Sequence, residues 1–299
     1  MDRLKEMSVF QSVAELESFA AAARHLGLSP PTVTRAVSAL EERIGTRLFT
    51  RTTRFVHLTE AGTRYLEDVR RIFAQIDEAE NMAAGAHAVP RGRLAVTAPV
   101  LFGQLFVMPA VTDFLKGNPD VTANVLLVDR LVNVAEEGFD VAIRIGDLPD
   151  SSMVAVRVGQ VRRVVVAAPA YLAREGEPAH PRELAQRAIV MTTSASSSTE
   201  WRFREREQAF AVRVEPSLSV NLNLAAITAA VRGWGLTQVL SYQVAAEVAD
   251  GRLQVVLGSY ELPALPVHVV YPEARKASAK VRSFVAYLAD QLRQEPAIA

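Results

Sequence analysis

Two helices and the turn between them are written into Ser18-Phe19-Ala20-Ala21-Ala22-Ala23-Arg24-His25-Leu26-Gly27-Leu28-Ser29-Pro30-Pro31-Thr32-Val33-Thr34-Arg35. Ser18 supplies an N-cap oxygen for a helix that runs through Phe19 and the alanines that follow it. Gly27 sits where a left-handed C-terminal stop belongs. Ser29 offers a second N-cap, and Pro30 falls at the first helical position, where its missing N–H costs nothing. The pattern predicts helix, short turn, helix. In the second helix Val33, Val37, Leu40 and Ile44 recur at i, i+4, i+7 and i+11. At about 100° per residue they fall within about 60° of one another, a narrow stripe to be buried. The opposite face carries Pro31, Thr34, Arg35, Ser38 and Glu42. It is slim and polar, as a helix entering a DNA major groove must be, with Thr and Arg able to reach base edges and phosphates. A solvent-exposed helix in an ordinary bundle has the same pattern.

Outward from this pair, Arg47-Leu48-Phe49-Thr50-Arg51-Thr52-Thr53-Arg54-Phe55-Val56-His57-Leu58 is β-prone, basic and rich in hydroxyls, and predicts a two-stranded wing. Between Phe19 and Thr59 the charged residues are Arg24, Arg35, Arg43, Arg47, Arg51 and Arg54 against Glu41 and Glu42. An arginine surplus beside a polar helix face suits phosphate contact, because the guanidinium fork grips oxygens. Residues 59–84 predict one long helix with Thr59 as N-cap and Glu60 in its first turn. Leu66, Val69, Phe73, Ile76, Ala79 and Ala83 repeat at spacings close to a heptad. Such a stripe needs a partner, so Leu66, Val69, Phe73 and Ile76 are the expected dimerisation residues. Packing against the first helix, through Leu4, Phe10 and Val13, is the alternative.

Composition bounds the rest. The chain has 299 residues, about two domains by length. Its 49% hydrophobic and 22% charged content is ordinary for a globular protein. Lys plus Arg and Asp plus Glu both number 33, so any nucleic-acid surface must be a local patch. The absence of cysteine excludes disulfide frameworks, thiolate metal sites and Cys nucleophiles. The start, Met1-Asp2-Arg3-Leu4-Lys5-Glu6, is charged where a signal peptide needs an apolar run. The longest uncharged stretch, Ala95 to Thr112, is interrupted by Pro99, Gly103, Gln104 and Pro109 and reads as strand–turn–helix. The expectation is a cytoplasmic protein with no membrane partner.

Ser18 to Ser29, Thr32-Val33-Thr34-Arg35, Leu40-Glu41-Glu42-Arg43-Ile44-Gly45-Thr46-Arg47-Leu48-Phe49-Thr50-Arg51 and Leu58-Thr59-Glu60-Ala61-Gly62 together resemble the N-terminal winged helix–turn–helix of LysR-type transcriptional regulators. Gly138-Phe139-Asp140-Val141-Ala142-Ile143-Arg144-Ile145-Gly146 and Ala168-Pro169-Ala170-Tyr171-Leu172 are similar to one large subgroup of that family. The resemblance implies promoter-DNA binding as a dimer or a dimer of dimers, and sensing of a small molecule by a C-terminal domain of periplasmic-binding-protein architecture. The chain departs from the family at Pro30-Pro31, where the recognition helix most often has Gln, and at Ala98-Pro99, where many relatives have Ser or Thr.

The expected fold is α/β overall. A winged helix–turn–helix spans residues 1–58, a linker and dimerisation helix with a hinge 59–90, and an effector-binding domain 91–299. Short strands alternating with helices predict two lobes, lobe I at about 91–162 and 266–299 and lobe II at about 163–265, with mainly parallel sheets and a cleft between them. Ligands of open α/β sheets sit beyond the carboxyl ends of strands. That nominates Thr97, Pro99, Val100 and Leu101, where free helix N–H groups favour a negative ligand atom, with Arg144, Thr192, Thr193 and Asn221 facing them. No G-x-S-x-G, phosphate loop, H-E-x-x-H or G-x-G-x-x-G occurs, and the five histidines are scattered, so no enzyme activity, cofactor or metal is expected. The candidate DNA contacts are Ser29, Pro31, Thr32, Thr34, Arg35 and Ser38, with Arg51 and Arg54 on the wing. RNA polymerase is a further expected partner. The competing reading is a small-molecule binding protein or enzyme whose N-terminal helices only dimerise.

Overall fold

The computed structural model describes residues 2–51, 56–84, 89–148, 152–193, 199–276 and 278–299. It divides into two compact units, Met1–Ala84 and Gly85–Ala299. The first contains α1 (Arg3–Leu16), α2 (Phe19–Leu26), α3 (Pro30–Ile44), β1 (Phe49–Arg51), β2 (Val56–Leu58) and α4 (Glu60–Ala84). Its caps follow local chemistry. Ser18 Oγ accepts from Ala21 N–H at 3.2 Å, and Ser29 Oγ accepts from Thr32 N–H at 3.4 Å. Gly27 and Gly45 end α2 and α3 at φ 63° and 78°, a region in which a side chain is strained. One core takes Phe10 and Val13 from α1, Ala22 and Ala23 from α2, Val33, Val37 and Leu40 from α3, and Leu66 and Val69 from α4. β1 and β2 pair antiparallel in register Phe49 to Leu58, forming the wing.

The expected α3 stripe needs one correction. Ile44 is 37% exposed, while Ala36 and Glu41 are buried in its place. The buried set is thus centred closer to the middle of the helix, and Ile44 is the last residue before the Gly45 cap, whose N–H bonds back to Glu41 O at 2.9 Å.

The second unit is built on two five-stranded sheets. The first uses β3 (Gly92–Ala98), β4 (Val121–Leu127), β5 (Val141–Ile145), β6 (Met153–Val161) and, near the end of the chain, a strand at Leu265–Pro272. β3 is followed by α5 (Val100–Phe102), which passes through a π turn at Gly103–Val107 into α6 (Met108–Gly117). The second sheet begins with β7 (Arg163–Ala167), then α7 (Pro169–Glu175) and β8 (Ile189–Thr192). A separate hairpin of β9 (Glu200–Glu205) and β10 (Gln208–Arg213) precedes β11 (Pro216–Val220), α8 (Asn223–Val231), β12 (Leu236–Leu240), α9 (Ala245–Ala249) and β13 (Gln254–Val256). The returning strand β14 (Leu265–Pro272) and α10 (Ala279–Arg293) close the first sheet. The strand orders are β4-β3-β5-β14-β6 and β11-β8-β12-β7-β13. Both sheets are mixed rather than mainly parallel: β14 runs antiparallel to β5 and β6, and β7 runs antiparallel to β12 and β13. The chain passes from β6 to β7, and so from the first sheet to the second, at Arg162. Arg162 is tied there by Ser241 Oγ at 3.1 Å and by Glu261 at 2.8 Å.

The helix Val100–Gly117 is long and apolar enough to cross a membrane by length and composition. Leu101, Phe102, Val107, Ala110, Val111 and Phe114 from it are buried in the main core of this unit, which is the part its apolar character plays here. It starts at Val100, directly after β3, where Pro99 takes the N-cap position and Asp129 Oδ1 accepts the Val100 N–H at 2.9 Å.

Candidate nucleic-acid and effector sites

Thr34 and Arg35 lie fully on the surface of α3, Pro31 is exposed one turn before, and Ser38 is half-buried one turn after. Spacings of three and four residues put Pro31, Thr34, Arg35 and Ser38 on one face. Arg35 Nε donates to Pro31 O at 3.4 Å within the helix, leaving the guanidinium end outward. Ser29 and Thr32 are brought together, their hydroxyl oxygens 2.8 Å apart at the start of the helix. Their first role is therefore the cap. Arg54 and the side chain of Arg51 lie outside the described residues.

The basic surplus is smaller than the sequence suggests. Arg43 pairs with Glu6 at 2.7 Å and Arg47 with Glu41 at 3.0 Å. Glu41, only 4% exposed, also accepts the Leu48 and Phe49 N–H groups at 2.9 and 3.1 Å. A buried carboxylate holding backbone N–H groups at the mouth of β1 fixes where the wing leaves α3. Gly62 completes the junction: a Cβ there would stand 2.0 Å from Leu48 O. Thr59 caps α4 through Gly62 N–H at 3.0 Å and donates to Arg47 O at 2.8 Å. Neither Glu41 nor Gly62 is a candidate site residue in the sequence reading, although both belong to the quoted Leu40–Arg51 and Leu58–Gly62 motifs.

The expected dimer seam is corrected on its own helix. Leu66 is 7% exposed and Val69 is fully buried, both in the intrachain core with Phe10 and Val13. Phe73 is half-buried and packs on the same core. Each is committed within one copy. Ile72, missed at first, is exposed, Ile76 is half-buried and Ala79 is exposed. Ile72, Ile76 and Ala79 follow one another at spacings of four and three, a signal that was present in the sequence.

The effector candidates are scattered. Thr97 is 2% exposed in the body of β3 and alternates with Val96 and Ala98 of the main core, so it points to the other face of the sheet. Arg144 points to that same other face in register with His268, and its guanidinium donates to Val132 O. Burial holds Arg144 below the ordinary arginine value, against the pull of Glu137. Thr97 and Arg144 therefore leave the cleft. Thr193 is taken up by Val220 O, which accepts its N–H at 2.9 Å, and Thr192 is paired with Val220 at the end of β8. Asn221 is exposed beside them. The asparagine that reaches the cleft is Asn223, two residues on.

Val100, Leu101, Gln104, Asp129, Leu222, Asn223 and Leu224 line a cavity of about 80 Å³ between the sheets' carboxyl ends. Asp129 bridges the two lobes there: Oδ1 accepts from Val100 N–H at 2.9 Å and Oδ2 from Asn223 Nδ2 at 3.4 Å. Next to it Tyr242 of lobe II packs edge-on against Phe102 at 5.3 Å. Burial raises the Tyr242 phenol well above its ordinary value, and the Asp129 charge adds to that. Among the described residues no group of three or more His, Asp or Glu side chains is placed to hold a metal.

The comparisons with known proteins agree with this geometry. Residues 4–63 match the family model described as bacterial regulatory helix-turn-helix protein, lysR family, and residues 87–293 match the LysR substrate binding domain. The chain is 33% identical over 300 residues to an HTH-type transcriptional repressor of Pseudomonas aeruginosa, spanning 100% of this chain and 95% of the relative. It is 30% identical to the HTH-type transcriptional activator AaeR of Escherichia coli, over 97% of this chain and 94% of the relative. CrgA of Neisseria meningitidis, a LysR-type transcriptional regulator, superimposes with a TM-score of 0.62 at 28% identity, covering 96% of this chain and 98% of CrgA. The fold is shared with AphB, a Vibrio cholerae virulence activator, at a TM-score of 0.61 and 23% identity over 97% of this chain and 99% of AphB. These relatives are regulators and not enzymes, which removes the competing reading. An N-terminal winged helix–turn–helix followed by a two-sheet substrate-binding domain, both matched along their length, places this chain in the LysR family of transcriptional regulators.

Proposed function

We propose that this regulator reads an interrupted inverted repeat in promoter DNA as a homodimer or a dimer of dimers. Pro31, Thr34, Arg35 and Ser38 enter the major groove, Ser29 and Thr32 set the start of the helix against the backbone, and Arg51 and Arg54 hold phosphates from the wing. The observation that carries this reading is the division of α3: Val33, Val37 and Leu40 are fully buried while Pro31, Thr34 and Arg35 are exposed. Copies join along α4 through Ile72, Ile76 and Ala79. A small molecule bound in the cleft beside Val100 and Asn223 alters the spacing of the paired recognition helices, and with it contact to RNA polymerase. The place of action is the cytoplasm, where the promoter is.

A gel-shift titration on the DNA just upstream of the protein's own gene tests this. Replacing Arg35 by Ala is expected to weaken binding by roughly 5- to 150-fold, the equivalent of a lost base contact of about 1–3 kcal/mol. Retardation by the variant equal to that of the parent contradicts the assignment of α3.

A further inference from the structure

The start of the helix Val100–Gly117 is where a negative ligand atom would be drawn, since its free N–H groups and dipole point there. In this chain the place is already taken. Asp129 Oδ1 accepts the Val100 N–H at 2.9 Å, from a position 29 residues further along the chain. Its other oxygen accepts from Asn223 at 3.4 Å. Both partners are neutral donors. The neighbouring Arg130 is turned away to Glu137 at 2.7 Å, and among the described residues no Lys, Arg or His pairs with Asp129. Asp129 is thus a half-buried carboxylate without a counter-cation, on the wall of a cavity of about 80 Å³. Around it Leu222 and Leu224 remain 47% and 55% exposed, and Val100 and Leu101 continue the apolar wall.

This combination selects by charge. A second carboxylate in the cleft would stand beside Asp129 with its best donor occupied. Like charges about 4 Å apart at an effective dielectric constant of about 20 lose about three orders of magnitude in affinity. An ammonium group gains by the same rule and finds lone pairs still open on both oxygens. The volume takes one small head group, about three times the share of a water molecule in the liquid.

We propose that Asp129 selects the effector and that the effector presents a cationic head, a primary ammonium or amidine on an apolar body, to this carboxylate. The proposal rests on reading the second unit as a sensor. The larger cavity, about 310 Å³ and lined by Gln160, Arg162, Ser241 and Val248, is a weaker candidate because Arg162 is already neutralised by Glu261 at 2.8 Å.

The test is thermal unfolding of the full-length protein with n-propylammonium chloride or sodium propionate at equal ionic strength and neutral pH. Propylammonium is expected to raise Tm saturably, by about 3–5 °C at ten times half-saturation, and propionate to leave it unchanged. In Asp129→Asn, which keeps a neutral acceptor for Val100 N–H, the ammonium response should weaken tenfold or more. A rise with propionate, an equal response in Asp129→Asn, or no saturable rise with propylammonium overturns the proposal. If Asp129→Asn does not fold, the wild-type comparison alone decides. Gel shifts with the same preparations keep the two readings apart: intact DNA binding with the wrong charge preference sinks the Asp129 assignment alone.

Discussion

Glu41 in the last turns of α3 holds the backbone N–H of Leu48 at 2.9 Å, so the recognition helix and the wing are one mechanical piece. Removing this carboxylate orphans the buried Leu48 and Phe49 donors, each costing about 1–3 kcal/mol. Glu41→Ala should therefore destabilise the N-terminal unit by about 2–6 kcal/mol and weaken DNA binding, whereas Glu41→Gln should lose about half as much. Denaturant unfolding and gel shifts check both. Arg47, its ion-pair partner with a side chain 76% exposed, should matter little to stability.

Gly62 lies directly under the same junction. A methyl group 2.0 Å from Leu48 O cannot be accommodated without moving backbone. Gly62→Ala is expected to cost about 1–3 kcal/mol, read as a fall in Tm, with the wing displaced. An unchanged Tm would show that α4 shifts freely there.

The two sides of α4 should separate by assay. Leu66→Ala opens a cavity in the intrachain core and should cost roughly 2–5 kcal/mol of folding stability. Ile72→Glu alters an exposed position and should leave the fold stable while weakening self-association tenfold or more. Sedimentation equilibrium measures the second effect. Association unchanged in Ile72→Glu moves the interface elsewhere.

His268 predicts a pH dependence. It is flanked across the sheet by Arg144 and Arg157. Burial first, and Arg157 second, hold its imidazole below the ordinary value of 6.5, with Asp147 opposing. The folded state keeps it neutral while the unfolded chain takes up a proton. Its contribution to stability is thus intact above about 6.5 and is lost as the pH falls through that value toward the folded one. His268→Gln should make the fall of Tm between about pH 7 and pH 5 shallower. An unchanged slope would remove His268 as a cause.

What could be read from the sequence was local. Ser18, Gly27, Ser29, Pro30 and Thr59 act on backbone groups within a few residues, and their caps and stops stand where the spacing puts them. The wing followed from β-prone composition over Phe49–Leu58. What escaped depends on contacts between distant segments. Asp129 meets Asn223 across 94 residues, a pairing that no periodicity announces. Asn221 stands just past the end of β11 and stays exposed, whereas Asn223, at the start of α8, lines the cavity. Thr97 and Arg144 were placed by strand ends alone, and sheet alternation sends both to the other face. The strands β6 and β12 run antiparallel to neighbours far away in sequence, so the sheets came out mixed. Ile72 is different: its spacing was readable, and the alternative of packing against Phe10 and Val13 of α1 is the one that takes Leu66 and Val69.

The central claim is that paired copies of α3 read DNA. Selection of binding sites from a random duplex library by the purified full-length protein, followed by hydroxyl-radical footprinting of the enriched sequences, tests it most directly. The account predicts two inverted half-sites whose centres lie a whole number of helical turns apart, and loss of the preference in Arg35→Ala. No enriched repeat, or the same repeat enriched by Arg35→Ala, would contradict it.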